Sequence, residues 1–346
     1  MPLNAPYSAS GSGGDLSQQI LRISLTRLTR LAAELAKKGN GRLPVQTRPG
    51  LNNSGIVPIR VNRTSSLLPL FLIHPVGGSV MAYYQLARYM RQEQPVYAIE
   101  NQVVLNPEVR LSRTLPEMAA GYIEEIQSVL PNGPYLLGGY SMGGLVAFEM
   151  GRQLMGRGQE VRFLGLIDTP ALVNRASESS GPDGPLTPND LLMMTAIIAR
   201  KSERAVNLTV QELERVAPGE RLTYLVDTLK TQRIIPPHVD AALLGELVAV
   251  VRNNEEAQRR YIPQTYAGPV DLFRASEVAA ELQAETAGAY QDPSFGWQAF
   301  CREPVAVHHV PGSHIRMMDQ PHVQSLAVIL QRRLDRRVKR RLADLY

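Results

Sequence analysis

Seven consecutive residues, Gly138-Gly139-Tyr140-Ser141-Met142-Gly143-Gly144, constrain this chain more than any other stretch. The apolar run Tyr135-Leu136-Leu137 precedes them, and Leu145-Val146-Ala147-Phe148-Glu149-Met150 follows with apolar residues suited to a buried helix face. Gly-x-Ser-x-Gly between a strand and a helix has the form of a nucleophile elbow. The demand is steric: the sharp turn strains the serine backbone, and a side chain at Gly139 or Gly143 would collide with the neighbouring strand and helix. In return the hydroxyl stands exposed, and the helix N-terminus points N–H groups at any oxyanion forming beside it. A Gly-rich loop around an ordinary serine shares the five-residue match. The strand before, the helix after and the extra glycines favour a nucleophile.

The elbow falls within an alternation of strands and helices. Residues 67–73 read as a strand and lead into His74-Pro75-Val76-Gly77-Gly78; a helical segment over 79–91 precedes a strand over 96–99. A helix over about 115–130 enters the elbow strand, and after the elbow helix the strand at 161–167 ends on Asp168-Thr169-Pro170. This spacing implies crossover units and an α/β architecture, a mostly parallel central sheet flanked by helices. The carboxylate of Asp168 then lies at the carboxyl edge of the sheet, where open α/β sheets place their sites. From about 186 to 261 the patterns are helical only, so we expect a helical insertion at about 184–264. Strands resume at 270–274 and 305–310; the second runs into Pro311-Gly312-Ser313-His314, and a last helix starts near His322.

With 346 residues, 44% of them hydrophobic, the chain can fill a sizeable core. We expect one catalytic domain over 67–345. Before it come a disordered or vector-derived leader at 1–14, a helix over 15–38, and a linker over 39–66 with a possible edge strand at 56–61. The single cysteine, Cys301, excludes an internal disulfide framework, and its expected role is packing. No apolar run approaches the roughly 20 residues a membrane helix needs, and the N-terminus lacks the order of a secretory signal. The expectation is a soluble cytoplasmic protein with no membrane partner.

The net charge of +5 is concentrated near the end, where Arg332, Arg333, Arg336, Arg337, Lys339, Arg340 and Arg341 surround Leu330, Leu334, Val338 and Leu342. That pattern predicts an amphipathic helix with a basic face. A solvated face is the ordinary explanation and a docking surface for an acidic partner the alternative. No nucleic-acid motif accompanies it.

Ser141, Asp168 and His314 each follow an expected strand, so all three can converge at one edge of one sheet, in the Ser, acid, His order of α/β-hydrolases. A serine hydroxyl needs a histidine to take its proton, and the histidine needs a carboxylate to hold its tautomer and stabilise the imidazolium. His314 has the best context, on a Pro-Gly-Ser loop after a strand. His308 and His309 lie within that strand, His322 starts the last helix and His238 sits in the insertion. Asp271 and Glu277 compete for the role of acid. Asp168 is favoured because it terminates its strand, whereas Asp271 lies inside one and Glu277 is expected to begin a helix. An oxyanion hole needs one donor from the residue after the nucleophile, Met142, and one from the loop after the first core strand, where Val76 is the candidate. His74 suits ordering of that loop better than it suits base chemistry. No cluster shows metal-ligand spacing, and no permanently bound cofactor is expected.

His74-Pro75-Val76-Gly77-Gly78, Gly139-Tyr140-Ser141-Met142-Gly143-Gly144, Ile167-Asp168 and Val310-Pro311-Gly312-Ser313-His314 together resemble the thioesterase domains that release products from nonribosomal peptide synthetases and hybrid polyketide assembly lines. The resemblance implies an α/β-hydrolase fold with a helical lid. It also implies that Ser141 accepts an acyl chain from the phosphopantetheine arm of a carrier protein, and that water or an internal nucleophile then releases an acid or a ring. The position of Asp168 resembles the terminal, product-releasing branch more than the editing thioesterases. A free-standing esterase or lipase, and a catalytically idle docking module, are the alternatives.

Overall fold

The computed structural model describes residues 55–62, 65–101, 114–171, 184, 186–199, 206–277 and 291–343. The expected leader, the helix over 15–38 and the linker up to residue 54 lie outside the described residues. In chain order the elements are β1 (Ile56–Arg60), β2 (Leu70–Ile73), α1 (Ala82–Tyr89), β3 (Val96–Ile99), α2 (Leu115–Val129), β4 (Tyr135–Tyr140), α3 (Met142–Gly156) and β5 (Val161–Ile167). There follow α4 (Pro188–Ala199), α5 (Val210–Glu214), α6 (Arg221–Thr231), α7 (Ala241–Arg260), β6 (Asp271–Glu277), a short 3-10 turn (Trp297–Phe300), β7 (Ala306–Ser313) and α8 (His322–Ala343).

Seven strands form one sheet in the order β1-β3-β2-β4-β5-β6-β7. Only β1 is antiparallel, pairing Ile56 with Ile99 of β3; every other neighbouring pair runs parallel. The edge strand expected at 56–61 is therefore present. The central strands are apolar without interruption: all four residues of β2 and all six of β4 are buried. Such runs mark a sheet covered on both faces. Alternate residues face opposite cores. Phe71 and Ile73 join the core made with α2 and α3, whereas Leu70 and Leu72 join the one made with α1 and α8. Each fully buried Leu, Ile or Phe contributes roughly 2 kcal/mol. Cys301 packs within the first core, where burial pushes its thiol up to about 12.

The described residues of 186–245 fall within one compact unit, to which they contribute α4, α5, α6 and the start of α7. Within it the Arg221 guanidinium donates to Leu213 O (3.0 Å), Val216 O (3.1 Å) and Leu186 O (3.2 Å), tying the helices' ends together. The sheet and the rest of α7, from Glu246 on, belong to the other unit. No helix of the described residues is long and apolar enough to cross a membrane.

Two expectations change. β7 does not stop at Val310 but continues through Pro311 and Gly312 to Ser313, which a sheet-edge strand tolerates because a proline there need not donate to a ladder. Glu277 ends β6 instead of starting a helix, and it is exposed. The basic face of α8 is also divided: Arg333 and Arg337 fold onto the buried Asp271, while Arg332 and Arg336 stay exposed.

Candidate active site

Ser141 joins β4 to α3 with φ 57° and ψ −127°, a conformation that costs a non-glycine residue about 1–3 kcal/mol. Three hydrogen bonds hold it there. Ser141 N–H donates to Ile167 O at 2.9 Å, and Ser141 O accepts from Gly144 N–H at 3.0 Å and from the Thr169 hydroxyl at 2.9 Å. The glycines are required by close approach. A Cβ on Gly139 would stand 2.1 Å from the Gly143 carbonyl carbon, and one on Gly143 would stand 2.2 Å from Ile73 O.

Asp168 follows β5 and is 1% exposed. Its backbone is also in the left-handed region, at φ 45°. Its N–H donates to Phe273 O at 2.7 Å, and its Oδ1 accepts from Ala275 N–H at 2.7 Å, so β6 holds the residue by its backbone and by one carboxylate oxygen. Oδ2 pairs with His314 Nδ1 at 2.8 Å. An ionised carboxylate only accepts, so Nδ1 carries the proton and Nε2 of the neutral ring is the acceptor a serine proton needs. His314 directly follows β7. Its ring stacks on Tyr140, with centroids 5.0 Å apart and planes at 28°, and the Tyr140 hydroxyl donates to His314 O at 2.5 Å.

The three sequence candidates thus lie past the carboxyl ends of β4, β5 and β7, and a hydrogen bond joins the acid to the histidine. No hydrogen bond joins the Ser141 hydroxyl to His314 among the described residues. Catalytic hydrogen bonds of this kind are often long before substrate binds and tighten in the complex.

Val76 occupies the second position of a turn closed by Gly78 N–H to Pro75 O at 2.9 Å, with Gly78 at φ 76°. His74 lies fully buried beneath it. Its Nδ1 bonds Pro75 O at 2.8 Å, and its Nε2 bonds the Tyr122 hydroxyl at 2.6 Å. A carbonyl can only accept, so Nδ1 holds the proton and Nε2 accepts from Tyr122. Burial drives the His74 pKa down to about 4, the bond to Pro75 opposing only in part, so the ring is neutral and serves to order the loop. Met142 opens α3, whose first-turn N–H groups have no partner four residues back within the helix.

The competing residues fall elsewhere. Asp271 begins β6, at the opposite end of that strand from Ala275, and binds His308, Arg333 and Arg337. His309 and His238 are exposed, and His322 is the first residue of α8. Two residues outside the sequence candidates touch these groups. Tyr140 supports His314, and Asn254 donates from Nδ2 to Val76 O at 2.8 Å. Tyr140 stood in the elbow stretch, next to the serine. Asn254 stood in a helical pattern with nothing but its polarity among apolar neighbours to flag it.

A parallel sheet with an elbow serine after β4, a carboxylate after β5 and a histidine after β7 defines the α/β-hydrolase fold. Comparison with known proteins narrows this: residues 68–334 match the thioesterase domain family, and the chain belongs to it. Among curated relatives, chondramide synthase cmdD of Chondromyces crocatus is 29% identical over 281 residues, covering 81% of this chain and 7% of that one. Atromentin synthetase greA of Suillus grevillei is 28% identical over 283 residues, covering 82% of this chain and 28% of that one. The chain therefore spans a small part of the relatives it matches. Among solved structures, the four-domain nonribosomal peptide synthetase AB3403, bound to AMP and glycine, superposes with TM-score 0.69 at 25% identity over 81% of this chain and 20% of its own. The NocB thioesterase domain, in covalent complex with a fluorophosphonate nocardicin G analogue, superposes with TM-score 0.52 at 24% identity over 78% of this chain and 95% of its own.

Proposed function

We propose that this thioesterase domain releases a peptidyl or polyketidyl chain from the phosphopantetheine thioester of a carrier protein through an acyl ester on Ser141. The observation that carries the proposal is the 2.8 Å bond between Asp168 and the Nδ1 of His314, made at the same sheet edge as the strained Ser141. In the acylation step His314 Nε2 takes the Ser141 proton while Oγ bonds to the thioester carbon. The resulting oxyanion is met by the N–H groups of Val76 and Met142. The carbon–sulfur bond then breaks, and the imidazolium returns its proton to the departing thiol. For release, water or an amine or hydroxyl of the chain gives its proton to His314 and attacks the ester. The carbon–Oγ bond breaks, Ser141 regains its proton, and an acid or a ring leaves.

The relatives support this setting. They are long synthetases of which this domain is a small part, so a carrier protein is the natural donor and the reaction belongs in the cytoplasm, where such substrates are assembled. The helical insertion enters the chain between β5 and β6, and we assign it the role of a lid that shapes the acyl chamber and governs water entry. The editing and free-esterase alternatives gain no specific observation.

The test is to present a panel of peptidyl and polyketidyl thioesters, on N-acetylcysteamine and on a loaded carrier protein, and to follow protein and product by mass spectrometry. The acyl mass should appear on Ser141 and be absent from Ser141→Ala. Ring and acid products differ by one water. Failure of every thioester and of a serine-directed phosphonate to modify Ser141 would overturn the proposal.

A further inference from the structure

Val76 lies between two peptide planes, and each is held by a different group. The plane before it carries the Pro75 carbonyl, which accepts from His74 Nδ1 at 2.8 Å and from Gly78 N–H at 2.9 Å. In a trans peptide the carbonyl and the N–H point in opposite directions, so these two bonds turn the Val76 N–H away from His74 and Gly78. The plane after it carries the Val76 carbonyl, and here the contact comes from a distant part of the chain: Asn254 Nδ2 on α7, at 2.8 Å.

That second plane is the one most in need of an outside hold. Val76 and Gly77 are the central residues of the turn Pro75 to Gly78. The two common forms of such a turn differ by a flip of the central peptide, and glycine in the third position admits both. Local sequence therefore leaves the Val76–Gly77 peptide free to choose. A hydrogen bond from a fully buried side chain makes the choice.

Asn254 also carries a cost that packing alone does not explain. It is 0% exposed, and its Oδ1 is buried with no hydrogen-bond partner among the described residues. An unpaired buried acceptor is destabilising, and an apolar residue of the same size would avoid it. The amide is worth its place for its N–H, the half that reaches Val76.

We infer that Asn254 is a positioning residue for the oxyanion loop: it locks the Val76–Gly77 peptide, and with His74 on the preceding plane it fixes the direction of the Val76 N–H. The inference rests on the assignment of Val76 as an oxyanion donor to the Ser141 reaction. It adds a residue on α7, some 180 positions along the chain from the loop, to the groups that set the rate.

The full chain carrying Asn254→Leu or Asn254→Ala tests this. The readout is the second-order rate constant for labelling of Ser141 by an alkyl fluorophosphonate, followed by intact mass, together with the thermal midpoint. In the labelling step the Ser141 Oγ–P bond forms, fluoride leaves, the proton passes to His314, and the phosphoryl oxygen needs the same donors as an acyl oxyanion. Misplacing one reacting group by about 1 Å costs on the order of 10²-fold. Labelling should slow 10- to 100-fold in both variants. Asn254→Leu removes the orphaned Oδ1 and keeps the volume but frees Val76 O, so its midpoint should stay close to the parent's.

Labelling within twofold of the parent in both variants would overturn the inference while leaving the Ser141 reaction standing. So would slowing that merely tracks a lowered midpoint and disappears on cooling, or failure of both variants to fold, since Asn254 would then be a structural residue. Absence of labelling in the parent would remove the Ser141 reaction itself, and the inference with it.

Discussion

The molecule pairs a buried carboxylate with an imidazole twice. Asp168 meets Nδ1 of His314, and Asp271 meets Nε2 of His308, each at 2.8 Å. Both carboxylates are buried, at 1% and 0%, and the histidine side chains are similarly shielded, at 22% and 17% exposure. Burial and distance therefore do not distinguish them. What differs is the ring nitrogen engaged and the rest of each carboxylate's surroundings. Asp271 also receives Arg333 at 2.6 Å and Arg337 at 2.9 Å, both from α8. Burial works against its charge, but His308 and the two arginines outweigh it and hold its pKa below the ordinary range. Asp168 has no arginine or lysine partner among the described residues; its other oxygen takes only the Ala275 N–H. A carboxylate already neutralised by two guanidinium groups has little left to give a transient imidazolium. It fastens a helix to a sheet. A carboxylate whose charge is met only by dipoles keeps its field for the histidine, and that is the one at the sheet edge beside the serine.

The largest effect that could break this comparison is catalytic. Asp168→Asn should lower kcat for thioester turnover by up to about 10⁴-fold, while Glu277→Gln stays within twofold. Steady-state assays that reversed this ranking would move the acid to the later strand. Next in size, Asp271→Asn should leave turnover per folded molecule within threefold but cost about 3 kcal/mol in urea unfolding, because it strands two arginines. The sign with pH follows from the depressed pKa. The contribution of Asp271 is present above the ordinary carboxylate range near pH 4 and is lost as pH falls through its lower folded value. The acid limb of the parent's stability curve should therefore be steeper than that of Asp271→Asn.

His74, fully buried, meets no carboxylate among the described residues and sharpens the comparison from the other side. Its folded pKa of about 4 lies below the ordinary 6.5, so between these values the unfolded chain binds a proton that the folded one refuses. Stability should fall by about 3 kcal/mol as pH drops from 6.5 to 4, and His74→Asn should remove that part of the slope in urea titrations at the two pH values. The smallest effect concerns what steadies His314, the proposed base. Tyr140→Phe keeps the stacked ring and loses the hydroxyl donor to His314 O, a change of about 1 kcal/mol, so kcat should fall roughly fivefold with little change in thermal midpoint. No change in kcat would mean that the stack alone orients His314.

Much of this arrangement can be read from local sequence, because the elements that carry it are local. The elbow declares itself through glycines that cannot accept a Cβ, and the parallel strands through uninterrupted apolar runs such as Leu70 to Ile73. The edge strand and the place of Asp168 past the end of β5 follow from where those runs stop. Tertiary partners escape such reading. Nothing around Asp271 announces that residues 333 and 337 return to neutralise it. The spacing of the arginines on α8 is equally consistent with a solvated face, which is why the basic surface looked larger than it is. The extra length of β7 was hidden by Pro311 and Gly312, which punctuate a strand unless it lies at an edge. Asn254 is the extreme case, since its meaning rests on one contact with residue 76.

Gly143 belongs at once to both halves of the prospective oxyanion hole. The position of a missing Cβ there falls 2.2 Å from Ile73 O and 2.7 Å from His74 O, so the first turn of α3 and the end of β2 are in direct contact. Neither half can be swapped for a foreign version on its own, because a shift of a few tenths of an ångström in one is transmitted to the other. Anyone grafting a new acyl chamber onto this scaffold would have to move residues 74–78 and 138–144 as one block, or keep both.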